Sequence, residues 1–326
     1  MKISAKRLKN IASRFKSKNI LVVGDVILDH YIFGSVNRIS PEAPVPVVWA
    51  NGENFVCGGS ANVGLNLISL GANASLCGVL GNDHFGGVLL NLAKSRKIAT
   101  GLLIKDSRRP TTLKTRIIAN HQQVVRLDWE SVEYLELKTN SKIYNRVLKS
   151  INSFDAVIIE DYGKGVINPS LVDKLVQLCK KKNKIITVDP KEDHFDYYRD
   201  VTALTPNLKE AEAAASFKVR GKEQIALLGD IIKDKLNPKA LLITLGEGGM
   251  MLFEGKRRHH IPTAALEVFD VSGAGDTVIA AFTLALCCGA AFYEAAVIAN
   301  FCAGIVVGKS GTATASQREL KKKISE

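Results

Sequence analysis

The chain is 326 residues long, 46% hydrophobic and 23% charged, with a formal net charge of +12. This is the balance of an ordinary soluble globular protein, long enough for one large α/β domain or two smaller ones. No apolar run approaches the ~20 residues of a membrane span, and the charge by itself leaves nucleic acid and phosphorylated small molecules equally open as partners.

The start, "MKISAKRLKNIASRFKSKNILVV", is basic, but its only apolar run, 20–23, is far shorter than a signal-peptide core of roughly 7–15 residues. Leu8, Ile11, Ala12 and Phe15 sit at helical spacing and predict a short amphipathic helix leading into a strand. β-branched runs predict strands at 19–25, 74–81, 155–161, 184–190, 202–207 and 240–246. Helices are expected near 60–70, 84–96, 134–151, 169–182, 208–216, 222–236, 275–288 and 292–308. Such alternation predicts a mostly parallel sheet covered on both faces. Two stretches, 31–59 and 101–128, read as strand after strand; they either pair into a small separate sheet over the carboxyl ends of the main strands or form edge hairpins. The six cysteines form no C-x-x-C pair and mostly lie in apolar runs, which predicts buried, reduced thiols in a cytoplasmic protein.

Two glycine-rich stretches imitate known motifs. "AGIVVGKSGT" (303–312) fails as a P-loop, because Gly304 and Gly308 enclose three residues instead of four and the stretch continues a helix. "GAGDTV" (273–278) fails as a dinucleotide fingerprint, because Val278 stands where the last glycine belongs. What is left is Ser272-Gly273-Ala274-Gly275, a small-residue loop opening a helix whose first amides lack intrahelical partners. That is an anion cradle.

Asp276 follows at once. As a first-turn acid it would contribute roughly 0.5–2 kcal/mol of capping. Aimed sideways, it would orient a hydroxyl that attacks a phosphoryl group and accept its proton late, while the amides of 273–275 stabilise the developing charge. Such chemistry needs further sites. Asp25 and Asp29 leave the first strand, suited to grip sugar hydroxyls, and "GGSAN" adds Gly58, Gly59 and Asn62, which a tight turn also explains. In "TPNLKEAE", Asn207 and Glu210 are one helical turn apart, in reach of a hydrated Mg2+, although Glu210 serves equally as a first-turn acid. "TLGEGGM" sets Thr244, Gly246, Gly248 and Gly249 at a strand end, suited to a nucleotide or to a plain β-turn.

Taken in order, G-G-x-A-N, T-P-N-x-x-E, T-x-G-x-x-G and D-x-[ST]-G-A-G-D-T resemble the ribokinase-like (phosphofructokinase-B) carbohydrate kinases over nearly the whole chain. The resemblance implies a three-layer αβα sandwich with a mostly parallel central sheet and a small β lid, its strands inserted at about 31–57 and 101–128. It implies ATP and Mg2+ as cofactors, Asp276 as the base, Asn300 in the nucleotide site, and a K+ site at Asp270, which Val271 in place of a common threonine weakens. "GGSAN" is one residue shorter than ribokinase's own glycine motif. "GDVILDHYIFGSVNRISPEAPVPVV", "NHQQVVRLD", "EDYGKG" and "VDPK" are similar to the branch that phosphorylates D-glycero-β-D-manno-heptose 7-phosphate at its anomeric hydroxyl, on the way to ADP-heptose and lipopolysaccharide. On that likeness Asn120, Asp161, Lys164, Lys191 and Arg116 join the substrate-binding set, with at least two of Lys114, Arg116, Arg126, Lys164 and Lys191 holding the distal phosphate. No H-x-G-H motif occurs in the sequence, so the expectation is a single kinase domain working with a separate adenylyltransferase, homodimeric through the lid. The rivals are a kinase for fructose, fructose phosphate, ribose or a nucleoside, and a non-catalytic nucleic-acid-binding protein. The second is disfavoured by the intact Asp276, Asn207 and Glu210 and by the lack of an aromatic-basic stripe.

Overall fold

In the first strand, β1 (Asn19–Gly24), every residue after Asn19 is buried. Ile20 and Val22 enter one apolar core and Leu21 and Val23 the other, the period-2 signature of a strand covered on both faces. The structure, a computed structural model, describes residues 3–326 other than 121, 222 and 310. Helix α1 (Ala5–Ser13) precedes β1, and β2 (Val26–Ile39), β3 (Pro46–Gly59), α2 (Ser60–Ser69), β4 (Asn73–Cys77) and β5 (Val79–Gly81) follow it. Next come α3 (His84–Ser95), β6 (Ile104–Asp106), β7 (Thr112–Ala119) and β8 (Gln122–Trp129). Alternation resumes with α4 (Leu137–Ser150), β9 (Ala156–Glu160), α5 (Pro169–Lys181), β10 (Ile185–Asp189), β11 (Ala203–Leu204), α6 (Leu208–Ala215), α7 (Gln224–Leu236) and β12 (Ala240–Thr244). A hairpin, β13 (Met250–Glu254) and β14 (Arg257–Ile261), leads to α8 (Ala274–Cys287), α9 (Phe292–Val307) and α10 (Gln317–Lys323).

The central sheet has the order β14-β13-β12-β11-β10-β9-β1-β4. β4, β1 and β9–β12 run parallel, and β13 and β14 add an antiparallel edge. Residues of α1, α2, α3, α8, α9 and α10 fill the core on one face; residues of α4, α5, α6 and α7 fill the other. The predicted αβα sandwich is therefore present. The two β-rich stretches pair as the sheet β3-β2-β7-β8, a small lid separate from the central sheet.

Several boundaries differ from expectation. The strand expected at 74–81 breaks in two, with β4 in the central sheet and β5 paired to β6. The first lid insertion starts at Val26, and the second contributes residues only from Thr112. The β13–β14 hairpin and α10 carry no strong periodicity and were not predicted. The helix expected at 222–236 begins at Gln224, and position 222 lies outside the described residues. α9 runs on to Val307, so the false P-loop begins inside a helix as read and leaves it at Gly308, its position 310 outside the described residues. All six cysteines are free and all but Cys287 are buried; burial pushes the Cys77 and Cys179 thiols up to about 12. Among the described residues, no helix is long and apolar enough to cross a membrane.

Candidate active site

Three cavities adjoin at the carboxyl ends of the parallel strands, where ligands bind in open α/β sheets. The first, about 330 Å3, is lined by Glu160, Asp189, Lys191, Thr205, Asn207, Glu210 and Thr244, and by Gly273, Gly275 and Asp276 at the start of α8. The second, about 340 Å3, lies against the lid and is lined by Asp29, Tyr31, Gly58, Gly59 and Asn62 together with Lys114, Arg116 and Arg126. It shares Tyr162, Gly273 and Asp276 with the first. The third, about 240 Å3, has apolar walls from Val268, Val271, Ala274, Val278 and Val307, with Gly246, Gly249 and the buried Asn300 also in its lining; it shares Thr244 and Gly275 with the first.

Asp276 stands where the first two cavities meet and is itself only 4% exposed. Asn62 Nδ2 donates to its Oδ2 at 2.5 Å, and the Tyr162 hydroxyl donates to its Oδ1 at 2.9 Å. Burial pushes its carboxyl up to about 6, while those two donors restrain the rise. Gly273, at φ +75°, turns the chain into α8. A Cβ there would stand 2.8 Å from Asn62 Nδ2, so glycine is required both by the left-handed backbone and by the close approach of the residue that holds Asp276. One detail differs from expectation: the Ala274 amide donates to the Val271 carbonyl at 3.2 Å, and Ala274 lines the apolar cavity instead. Gly273, Gly275 and Asp276 line the first cavity.

Acids crowd the first cavity. Glu160 and Asp189 are both raised well above the usual carboxylate range, first by burial and then by neighbouring carboxylates. Asn207 and Glu210 cap α6 reciprocally, at 2.9 and 2.8 Å, and both still line the cavity. The capping and cavity-facing readings of Glu210 thus hold together. The only cation among the residues lining this cavity is Lys191.

Several expected substrate ligands hold other partners or line other cavities in the structure. Asp25 is 1% exposed and its carboxylate accepts the Tyr162, Lys164 and Val166 amides, so it staples β1 to the loop after β9. Asp161 lines the first cavity and not the lid cavity, and its carboxylate accepts from Tyr198, His194 and the Gly163 amide, bracing the loop after β10. Lys164 pairs with Glu130 at 2.6 Å and does not line the lid cavity. Lys191 lines the first cavity and not the lid cavity, and Asn120 is exposed at the β7–β8 turn with φ +50°. Gly248 lines none of the three cavities; its carbonyl accepts from His260. Asp270 accepts the Ser272 and Gly311 amides, tying two loops beside α8. Conversely, Tyr162, Glu160 and Asp189 were not singled out, although each stands at or just past the carboxyl end of a predicted strand.

A family model described as pfkB family carbohydrate kinase matches residues 17–319. The chain is 43% identical over 305 residues to the Bifunctional protein HldE of Helicobacter hepaticus, covering 94% of this chain and 63% of that protein. It is 40% identical over 316 residues to the protein of the same name from Geobacter sulfurreducens, covering 96% and 64%. It thus spans somewhat less than two thirds of the length of these relatives. Phosphofructokinase-2 from Escherichia coli in complex with potassium superposes with a TM-score of 0.79 at 16% identity, over 94% of this chain and 98% of that one. Arabidopsis thaliana ribokinase complexed with ribose and ATP gives 0.74 at 20%, over 95% and 99%. At those identities the solved structures speak for the fold, which is ribokinase-like. The family match runs through every strand of the central sheet, and the chain belongs to the pfkB carbohydrate kinases.

Proposed function

We propose that the protein transfers the terminal phosphoryl group of ATP to the anomeric hydroxyl of D-glycero-β-D-manno-heptose 7-phosphate, giving the 1,7-bisphosphate. The observation that carries this reading is the position of Asp276, which lines both the cavity under the lid and the cavity at the α8 amides. A sugar hydroxyl in the former and a phosphoryl group in the latter meet at its carboxylate. The hydroxyl oxygen forms the new bond to phosphorus, the bond to the leaving ADP oxygen breaks, and Asp276 takes the proton. Gly273, Gly275 and Asp276 offer backbone N–H groups to the charge that develops on the migrating group. The apolar cavity receives the adenine, with Gly246, Gly249 and Asn300 among its lining residues.

The donors around the first cavity are carboxylate and amide oxygens, the chemistry that suits Mg2+. Asn207 and Glu210 would hold that ion through water, and when bound it neutralises phosphate charge. Lys191 adds a cation on the same side. A monovalent cation at Asp270 would brace the two loops this residue ties; loss of activity on replacing K+ with Na+ checks it.

A phosphate already on the sugar is favoured by the lid. Arg116 and Arg126 are cross-strand partners in the lid cavity, and Arg126 forks onto Asp128 at 3.0 Å, so a phosphate entering there meets two guanidinium groups side by side. Arg116 also pairs with Asp29 at 2.5 Å and stacks on Tyr31. Activity with heptose 7-phosphate and ATP, falling roughly 10²–10⁴-fold in Asp276→Asn, supports this function. Turnover on unphosphorylated ribose or fructose in preference to the heptose phosphate overturns it.

A further inference from the structure

Glu160 is 1% exposed, and its Oε2 has no hydrogen-bond partner among the described residues. It lines the first cavity rather than the apolar core. In the central sheet its register partner on β10 is Asp189, so the last residues of two adjacent parallel strands present acids side by side. Carboxylate oxygens of Glu160, Asp189 and Asp276 lie within 4.8 Å of one another. Two like charges this close, one of them buried, are strongly unfavourable unless protonated or bridged by a cation. Each is already forced toward protonation, as the neighbouring cavity acids require.

The three acids differ in what else they hold. Both Asp276 oxygens are committed to donors, to Asn62 and to Tyr162. Asp189 gives Oδ1 to Thr205 at 3.1 Å, and its Oδ2 points toward Gly275, where an added Cβ would lie 3.4 Å away. Glu160 Oε2 and Asp189 Oδ2 are therefore the oxygens free to ligate. Oxygens on either side of one small divalent ion are roughly 4–5 Å apart, and Mg2+ binds readily through one or two carboxylates with the rest of its shell as water.

We propose that Glu160 and Asp189 form a divalent-cation site of their own, directly ligating one Mg2+- or Mn2+-sized ion in the nucleotide-free protein. It is separate from the ion that Asn207 and Glu210 would hold through water against the phosphates. The proposal assumes nothing about the sugar, so it stands or falls independently of the substrate assigned above.

The test titrates Mn2+ into the full chain without nucleotide, reading free Mn2+ by electron paramagnetic resonance. The wild type takes up one ion per chain. Glu160→Gln and Asp189→Asn each lower the affinity at least 10-fold, while Glu210→Gln stays within about 2-fold, since a direct ligand is lost in the first two only. Melting temperatures supply a second readout: Mg2+ raises that of the wild type without nucleotide. The metal-free Glu160→Gln protein, relieved of a buried like charge, melts no lower than the metal-free wild type and gains nothing from Mg2+. An absence of Mn2+ uptake by the wild type overturns the proposal. Uptake unchanged in both Glu160→Gln and Asp189→Asn, or lost in Glu210→Gln alone, overturns it too.

Discussion

Asp276 has to be ionised to take a proton, yet its surroundings favour the neutral acid and place it near 6 rather than the ordinary 3.8. Activity should therefore fall on the acid side of about pH 6. Tyr162→Phe removes a donor to the carboxylate, which raises its pKa further and moves the acid limb of kcat/KM to higher pH; an unmoved limb would show that Tyr162 does not tune the base. The same shift has a sign for stability. A folded-state value above the unfolded one means the contribution is fully present below about 3.8 and is lost as the pH rises through 6. Asp276→Asn should accordingly melt higher than the wild type at pH 8, with the advantage gone at pH 4, while being nearly inactive. The base was legible in the sequence because G-A-G-D fixes a loop, a helix start and an acid in three consecutive features. Asp25 and Asp161 were ambiguous in the sequence because a strand-end acid that binds a ligand and one that ties down a loop have the same residue type and position. Only their partners, the three backbone amides on Asp25 and the Tyr198–His194 pair on Asp161, separate the two. Glu160 and Asp189 become neighbours only through the β9–β10 register, which no linear spacing carries.

Among elements, the lid was readable because two long β-rich stretches interrupt a strand–helix alternation, leaving few other ways to pair them. Its internal order was not: β2 pairs in parallel with β7 across some eighty residues of intervening chain. That pairing lines up Asp29 with Lys114 and Tyr31 with Arg116, and β8 adds Asp128 and Arg126 to the same two rows. If these rows read a distal phosphate, Arg116→Ala together with Arg126→Ala should raise KM for the sugar phosphate at least tenfold and change kcat far less. Lys164→Ala should leave KM nearly unchanged, since Lys164 does not line the lid cavity. Steady-state kinetics on the purified variants decides between this and a merely solvated basic face. The β13–β14 hairpin escaped notice because its outer strand, Arg-Arg-His-His-Ile, buries only Ile261 and so carries no apolar alternation.

For the molecule as a whole, the surplus of 12 positive charges was ambiguous in the sequence, and the structure gives three of the cations, Lys114, Arg116 and Arg126, a shared cavity. The lid also leaves Trp49 75%, Trp129 64% and Ile39 61% exposed, large apolar groups that a second copy would cover. A dimer through this sheet predicts that Trp49→Glu with Trp129→Glu yields a monomer by light scattering, whereas a monomeric wild type rules the lid interface out. A different consequence follows from Gly273, whose backbone borders two cavities and leaves no room beside Asn62. If an occupant on one side shifts this turn, it changes the walls seen from the other, and the two reactants are coupled. Whatever factor by which the first tightens or loosens the second has to hold in the reverse direction as well.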